Sequence, residues 1–414
     1  MTPPAKADAT IERTIRRESA RLKAALIAHL GTHQFALAED VAQDAMLAAL
    51  TNWQADMPEQ PGAWLRRVAK NRAIDILRRR AREAPIEWAG EPAGPLDTPD
   101  FHGVEDAELR LLYLSCQPGM PAQDQVVLAL HLAAGFTAAD IATLLTRPRS
   151  TVAQRLVRLK RKLRSSGPLT ELTADAVGAR TDVVLRVLYL MFCAGYLPAS
   201  GNLLVREDIV AEALRLAELL AQGGWCGDAD LQADANALCA LFCLQASRLG
   251  ARAQQDGFVP LSRQNRQLWD EALLARASAY VIASQQTERV SRYHLETAIA
   301  VEHASATSFE ATRWDRISLL YAQLEQLTSS PVVTVSSALA TCYADHPDEA
   351  LARLEKIAHD PAMGHYPPYF AALAEVHERL GQTTEAQAAS RRAGELQGND
   401  VLRAHIDARY AALS

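Results

Sequence analysis

The sequence predicts an all-α protein with two small helical domains, a flexible linker between them and a larger helical domain behind them. Apolar residues recur at helical spacing over most of the 414 residues. No stretch alternates apolar and polar residues as a half-buried strand does. One long segment rich in proline and acidic residues interrupts the helices, and it separates the two small domains.

The predicted domain boundaries lie where the helical periodicity stops. The first domain has a helix up to about Leu30 and two more over Leu37–Trp53 and Ala63–Arg82, with a break at Pro58 and Pro61. The linker contains four prolines, three glycines, five acidic residues and no basic residue, a composition that resists packing. The predicted segments are 10–82 for the first domain, 83–103 for the linker, 104–167 for the second domain, 168–330 for a helical extension and 331–414 for terminal repeats.

The charge of the chain is unevenly distributed. The net charge is −6, but residues 1–167 carry 23 basic and 19 acidic side chains, whereas residues 168–414 carry 20 and 30. A nucleic-acid partner therefore belongs to the first part of the chain, because phosphates attract clustered cations.

The last helix of the first domain is strongly basic. Between Trp64 and Arg82 it has eight Lys or Arg residues and one acid, Asp75. A solvated helix usually mixes both signs, so this bias indicates a phosphate-rich partner. The predicted inner face carries Trp64, Leu65, Val68, Ile74 and Leu77. The outer face carries Arg66, Arg67, Lys70, Asn71 and Arg72. An aromatic ring and an amide beside arginines suit unstacked bases, and a plain phosphate-binding helix is the alternative.

The second domain ends in two helices that have clear start signals. Thr137 and Asp140 form a capping box, and Ser150 is the predicted N-cap of the next helix. The inward stripe of that helix is Val152, Leu156, Leu159 and Leu163. Its outward face carries Gln154, Arg158 and Arg161, with Thr151 near them and Arg155 and Lys162 on one flank. Arginine and glutamine displayed this way suit the major groove of DNA, and a solvated basic helix or an RNA-binding patch is the alternative.

A faint repeat lies near the end of the chain. Asp348-Glu349-Ala350 recurs 36 positions later as Thr384-Glu385-Ala386, among small residues that permit close helix packing. This pattern is typical of tetratricopeptide-like repeats, but ordinary helical hairpins explain two copies equally well.

Cysteine usage and hydropathy exclude several classes of protein. The six cysteines form no C-x-x-C pair and lie mostly in apolar stretches, which predicts reduced, buried thiols in a cytoplasmic protein. Cys239 with Cys243, and His29 with His33, each provide only two ligands, so no metal site is predicted. The first residues lack a secretory signal, and the apolar run Val187–Leu197 is too short for a bilayer. We expect no cofactor, no catalytic residue and no membrane partner.

Three segments of this sequence resemble bacterial RNA polymerase sigma factors of the extracytoplasmic-function type, in the sigma-70 family. AEDVAQDAMLAAL resembles region 2.2, PGAWLRRVAKNRAIDILRRR resembles regions 2.3 and 2.4, and FTAADIATLLTRPRSTVAQRLVRLKRKL resembles region 4.2, a helix-turn-helix. All three occur in the order of that family. The resemblance implies sigma region 2 at 10–82, region 4 at 104–167 and no activity of an enzyme.

The resemblance also implies partners and contact residues. Asp40, Gln43 and Asp44 match the face that docks on the clamp helices of the largest catalytic subunit of core RNA polymerase; the flap of the second large subunit is the other expected contact. By themselves, Asp40 and Asp44 indicate only a solvated helix face. The residues expected at promoter DNA are Trp64, Arg67, Lys70, Asn71, Arg72, Arg78, Arg79, Arg80, Arg149, Thr151, Gln154, Arg155, Arg158 and Lys162. Asn71 matches the asparagine at the flipped base of the minus-10 element. The positions of the recognition helix that face the minus-35 element match Thr151, Gln154, Arg155 and Arg158.

The rest of the chain resembles a subgroup with a long helical extension that ends in tetratricopeptide-like repeats. This implies that the extension modulates activity and accepts a protein or small-molecule effector. Ser115-Cys116-Gln117-Pro118 and Ser337-Ala338-Leu339-Ala340 depart from that pattern, so no metal, redox or ligand role is transferred to them.

Two other hypotheses stand beside the sigma factor. A ligand-sensing helix-turn-helix transcription regulator that does not bind core polymerase would explain the second basic helix, and the match at Asp40 would then be coincidental. An enzyme in residues 170–414 is the weakest hypothesis, because that part contains no Ser-His-Asp, metal or phosphate-loop signature.

Overall fold

The computed structural model describes residues 34–54, 56–83, 106–117, 119–145, 147–165, 174–224, 228–254 and 257–412, and in the first helical stretch residues 11, 14, 15, 18, 19, 21–27 and 30. These parts contain eighteen named α-helices and two strands of two residues each, which confirms the predicted all-α class. Contacts divide them into two compact units, of which the first ends at Val187 and the second begins at Leu188. Residues 84–103 of the predicted linker and the predicted boundary at 168 lie outside the described residues.

The first unit contains six complete helices and the start of a seventh. They are α1 (Phe35–Asn52), α2 (Pro61–Glu83), α3 (Ala107–Ser115), α4 (Ala122–Leu132), α5 (Ala138–Leu144), α6 (Arg149–Ser165) and α7 (Ala174–Tyr196). The predicted helices over Leu37–Trp53 and Ala63–Arg82 agree with α1 and α2 to within two residues at each end.

Helices α1 and α2 pack closely because their facing residues are small. Ala42, Ala45 and Ala49 on α1 and Ala69 on α2 are fully buried. Without side chains beyond Cβ, the two backbones can approach each other, and this contact fixes which face of the basic helix α2 remains outside.

Helices α4, α5 and α6 form a compact trio. Gly135 has φ +69° at the turn after α4, a conformation that glycine adopts at little cost, and Phe136 beside it is buried. The predicted capping box of α5 is confirmed, since the Thr137 side chain and the Asp140 side chain each bind the backbone N–H of the other residue. The predicted inward stripe of α6 is likewise confirmed. Val152, Leu156, Leu159 and Leu163 are all buried.

The prediction that Ser150 caps α6 is wrong. The helix already begins at Arg149, and the backbone N–H of Val152 donates to the carbonyl oxygen of Pro148 at 3.3 Å. Pro148 therefore precedes the first turn, where its fixed φ and missing N–H are tolerated. Ser150 lies inside that turn and is exposed.

The start of α7 is fastened to α3 by buried polar contacts. The hydroxyl groups of Tyr113 and Thr181 lie 3.0 Å apart, and Arg180 donates to the backbone oxygen of Tyr113 at 3.2 Å. Both side chains of the first pair are fully buried. Because buried polar groups are costly without partners, these bonds fix the register of α7 against the first unit.

The second unit consists mainly of α-helices joined by short connections. After the end of α7 come α8 (Glu207–Gln222), α9 (Ala229–Ala246), α10 (Leu249–Arg252), α11 (Glu271–Ser284), α12 (Arg292–Ser305), α13 (Trp314–Thr328), α14 (Pro331–Tyr343), α15 (Pro347–Lys356), α16 (Pro367–Arg379), α17 (Thr383–Leu396) and α18 (Asp400–Ala412). The strands Ala253–Gln254 and Gly257–Phe258 pair antiparallel, a hairpin too short for a periodicity of two to reveal it.

Helix α9 is the centre of the second unit. Residues on every side of it are buried, including Ala235, Leu238, Phe242 and Cys243. A helix that is apolar all round requires neighbours on all faces, and α8, α11 and α12 pack against it.

The last third of the chain forms helical hairpins around two apolar clusters. One cluster joins α12, α13 and α14 through Leu295, Ile317 and Ala340. The other joins α14, α15 and α16 through residues such as Cys342 and Leu354. The tetratricopeptide-like assignment of 331–414 remains a prediction.

Asn399 fastens the final helix to a distant loop in the same unit. Its side chain is fully buried, and its Nδ2 donates to the backbone oxygens of Pro198 at 3.2 Å and Leu203 at 2.8 Å. Its Oδ1 accepts from the N–H groups of Val401 and Leu402, so the same residue caps α18.

The five described cysteines are free thiols, and burial suppresses their ionisation. Cys116, Cys239, Cys243 and Cys342 are buried, whereas Cys193 is half-buried. Burial raises the pKa of Cys116 to about 12 and that of Cys342 to about 11. Cys226, His29 and His33 lie outside the described residues. Among the described helices, none has the length and apolar character required to cross a bilayer.

Candidate nucleic-acid interface

The outward face of α6 carries the polar side chains that the sequence predicts there. Thr151, Gln154 and Arg158 are exposed along its first half, opposite the buried stripe. Arg149, Arg161 and Lys162 are exposed as well. The hydrophobic stripe fixes the rotation of α6 in the trio, so Thr151, Gln154 and Arg158 leave the same side of the unit, whereas Arg149 is exposed as the first residue of the helix.

A buried carboxylate on α4 holds the arginines of α6. Asp124 has a side chain only 9% exposed, and its Oδ1 lies 2.6 Å from Arg155 Nε. Its other oxygen accepts from Arg158 Nη2 at 3.5 Å, a long contact to a side chain that is 68% exposed. Arg155 is therefore anchored, while Arg158 keeps most of its reach toward a partner.

A second acid, Glu39 on α1, lies between basic groups of α4 and α6. Both its carboxylate oxygens accept from Lys160 Nζ, at 2.9 and 3.1 Å, and His131 Nε2 lies 3.5 Å away. Burial favours the neutral carboxyl, but the hydrogen bonds and charges of His131 and Lys160 prevail and lower the pKa of Glu39 to about 2. Lys160 also lies over the ring of Phe35 at 5.2 Å. The predicted first and second domains thus touch within the first unit.

The basic helix α2 exposes most of its predicted DNA-contacting side chains. Those exposed are Arg67, Lys70, Asn71, Arg72, Arg78 and Arg79. Trp64 is half-buried, and its ring meets that of the buried Trp53 edge to face at 5.6 Å between centroids. The side chain of Arg80 lies outside the described part of the helix.

The predicted polymerase-contacting residues share one exposed side of α1. Asp40, Gln43 and Asp44 are all exposed. Asp44 Oδ2 accepts from Arg72 Nε at 2.9 Å, so this side of α1 continues directly into the basic face of α2.

Sequence reasoning missed Asp124, Glu39, Lys160 and His131 as members of this surface. Asp124 looks like an ordinary first-turn acid, and Glu39 looks like an ordinary polar residue of an amphipathic helix. Their partners Arg155 and Lys160 lie 31 and 121 positions away in the chain, at 2.6 and 2.9 Å in space. No local spacing signals such pairs.

The described residues contain no group of three or more His, Cys, Asp or Glu side chains that could hold a metal ion. The surface presents guanidinium, amide and hydroxyl groups on two helices of the first unit, α2 and α6.

Comparisons with known proteins fit this surface. Residues 14–83 match the family model for sigma-70 region 2, and residues 180–285 match a family of unknown function, DUF6596. The chain is also 33% identical over 384 residues to uncharacterized protein R00370 of Rhizobium meliloti (strain 1021). The aligned residues cover 89% of this chain and 88% of the relative. No solved structure is significantly similar to this chain.

The first unit thus contains the region of a sigma factor that associates with core RNA polymerase and promoter DNA in transcription initiation. The chain belongs to one family with R00370 of Rhizobium meliloti over almost its whole length. Its sigma-70 region 2 domain supports a sigma factor of the sigma-70 family.

Proposed function

We propose that this chain is a sigma factor of the extracytoplasmic-function type that directs core RNA polymerase to promoters with minus-10 and minus-35 elements. The observation that carries the proposal is the sigma-70 region 2 match over 14–83, whose final helix α2 exposes arginines and Asn71 on one face. Such a factor lends base recognition to polymerase in the cytoplasm and has no active site of its own.

Region 2 then has two tasks on adjacent surfaces. Asp40, Gln43 and Asp44 dock on the clamp helices of the largest catalytic subunit. Asn71 holds a flipped base of the minus-10 element, where hydrogen bonds must offset the loss of stacking. The cations around Asn71 neutralise the phosphates of the separating strands. The 2.9 Å contact between Arg72 and Asp44 supports a direct connection between the two surfaces.

Helix α6 then acts as the reader of the minus-35 element, with region 4 bound to the flap of the second large subunit. Thr151, Gln154 and Arg158 leave its first half on the exposed side, as a helix in a major groove requires. Arg149, Arg155 and Lys162 supply positive charge at its edges.

The extension from residue 168 regulates this activity. Its surplus of acidic side chains can compete with DNA for the basic helices, or it can contact polymerase directly. Transcription by the full chain and by a chain ending at Val187, which keeps the start of α7 that is bonded to α3, separates the two modes when it is compared over a range of salt. Competition gives a truncated chain that binds DNA more tightly, whereas a required contact gives one that is inactive.

Run-off transcription tests the proposal directly. Core polymerase is incubated with promoter libraries, with and without the full chain, and promoter-dependent transcripts are expected only with it. The variant Asn71→Ala should lose melting of the minus-10 element, and Asp75→Ala, an exposed change on the same helix, serves as its control. A correctly folded chain that yields no specific transcript from any template would sink the assignment.

Association with core polymerase separates a sigma factor from an independent DNA-binding regulator. Co-purification of the full chain with core polymerase should weaken in Asp40→Ala with Gln43→Ala, and remain in the exposed control Asp56→Ala. A chain that binds DNA but never retains polymerase would support the regulator instead.

A further inference from the structure

Three arginines cluster in the second unit around a tryptophan. The guanidinium groups of Arg248 and Arg266 lie 5.5 and 4.9 Å from the ring centre of Trp269. Arg252 lies 4.3 Å from the ring centre of Tyr196, and burial together with the nearby charge of Arg248 lowers the pKa of Arg252. The rings hold the guanidinium planes in place without neutralising their charge.

No carboxylate of the described residues forms an ion pair with any of these three arginines. Arg252 donates to the backbone oxygen of Tyr196, and Arg266 donates to the backbone oxygens of His303 and Ser308, the latter at 3.2 Å. The acids of this unit that form ion pairs bind other basic side chains, as Glu302 binds Arg313. This is notable because residues 168–414 contain 30 acids and 20 bases.

Several buried donors and acceptors in the cluster have no partner among the described residues. They are Arg248 Nε, Trp269 Nε1 and His303 Nδ1. Trp269 is only 5% exposed, and its indole N–H has no acceptor among the described residues. Buried polar groups are normally paired, and three unpaired ones beside surplus positive charge indicate a missing anionic partner.

The ionisation of neighbouring groups is consistent with this positive potential. Burial, then the charges of Arg248 and Arg266, lower the pKa of His303 to about 4. Burial and Arg248 lower the pKa of Arg266 as well, and the exposed Glu310 opposes this shift only from beyond ion-pair distance. His303 is therefore neutral near pH 7, and its ring can accept or donate a hydrogen bond.

We propose that Arg248, Arg266 and Trp269 form a binding site for the phosphate group of a small phosphorylated molecule. Guanidinium groups bind phosphate through paired hydrogen bonds, and the indole N–H adds a further donor. A dianion matches two neighbouring cations better than a monoanion does. Arg248 and Arg266 are half-buried, so their edges remain reachable from solvent, unlike that of the buried Arg252.

The site does not depend on the sigma-factor assignment, because binding is measured without polymerase or DNA. Isothermal titration of the full chain with inorganic phosphate should give saturable binding, with acetate and chloride at matched ionic strength binding far more weakly. Arg248→Gln and Arg266→Gln should each weaken phosphate binding about tenfold or more, since each removes a charge-assisted contact. Arg392→Gln, an exposed arginine outside the cluster, should leave it unchanged.

A second measurement guards against a loss of folding in the variants. Phosphate should raise the thermal midpoint of the wild-type chain and of Arg392→Gln, but not that of Arg266→Gln. Trp269→Phe keeps the ring and removes the N–H, so it should retain the fold by circular dichroism and still bind phosphate less tightly. Equal phosphate binding in wild type and Arg266→Gln, or no binding by the wild type, would overturn the site. Acetate binding as tight as phosphate would overturn its assignment to phosphate.

Discussion

Arg72 Nε donates to Asp44 Oδ2 at 2.9 Å, which joins a residue expected at promoter DNA to one expected at polymerase. Both side chains are about half exposed, at 55% and 46%. Arg72 lies one position after Asn71, so a partner that docks on Asp44 also acts on the residue beside the proposed base-binding asparagine. The ion pair between Arg72 and Asp44 therefore links the proposed polymerase-binding surface of region 2 to its proposed DNA-binding surface.

Replacing Asp44 tests that connection. Asp44→Ala should change the free energy of unfolding by less than about 1 kcal/mol, because exposed ion pairs contribute little. Its affinity for core polymerase should fall clearly, as measured by a fluorescence titration with labelled core. Asp56→Ala is the matched control, an exposed acid that follows α1. Equal polymerase affinity in both variants would contradict the role of Asp44.

Asp124 should stabilise the first unit through its ion pair with Arg155. Asp124→Asn leaves the Arg155 guanidinium without its charged partner, and we expect it to destabilise the fold by about 1 to 3 kcal/mol. Arg155→Gln should have a similar effect, and the double variant should be less destabilised than the sum. Denaturant unfolding of the four chains measures this coupling. Gln123→Ala, an exposed neighbour, should behave like the wild type, and simple additivity would argue against the contact.

Arg158 should determine which base is preferred at one position of the minus-35 element. Arg158→Ala should cost about 1 to 3 kcal/mol of binding to the preferred sequence and relax the choice of base there. Lys162→Ala should instead weaken binding evenly and reduce the dependence of log Kd on log salt by about 1. Binding to a library of minus-35 variants distinguishes them, and a uniform loss with Arg158→Ala would show that it contacts only phosphates.

Glu39 should make the first unit sensitive to acid. Its pKa is lowered from 4.5 to about 2, so it contributes stability that is fully present above pH 4.5 and is lost as the pH falls toward 2. The unfolding free energies of wild type and Glu39→Gln should therefore differ at pH 7 and converge over that range. Glu59→Gln, an exposed acid between α1 and α2, serves as the control. A difference that is constant with pH would refute the ion pair with Lys160.

The capping box of α5 offers a test of local stability. Thr137→Ala removes the hydroxyl that accepts from Asp140 N at 3.2 Å and should destabilise the chain by about 1 kcal/mol. Thr137→Ser keeps the acceptor and should lie close to the wild type. Urea denaturation measures both, and equal losses would show that the methyl group rather than the cap matters.

The sequence predicted the elements of the first unit well, because the information is local. The inward stripe from Val152 to Leu163 and the cap at Thr137 follow from residues within a few positions of each other. The start of α6 was misplaced because Ser150 is a good cap by itself, whereas the chain uses the rigid Pro148 two residues earlier.

The sequence by itself determined the all-α class, the helical faces and the two basic helices that resemble sigma regions. Only the tertiary structure decided which charges are free and which are held: Arg155 and Lys160 look alike in the sequence, yet Asp124 holds one and Glu39 the other. The arginines around Trp269 belong to the same category, since their lack of acidic partners is a property of packing. Periodicity follows from backbone geometry over a few residues, whereas ion pairs join side chains that only the folded chain brings within 4 Å.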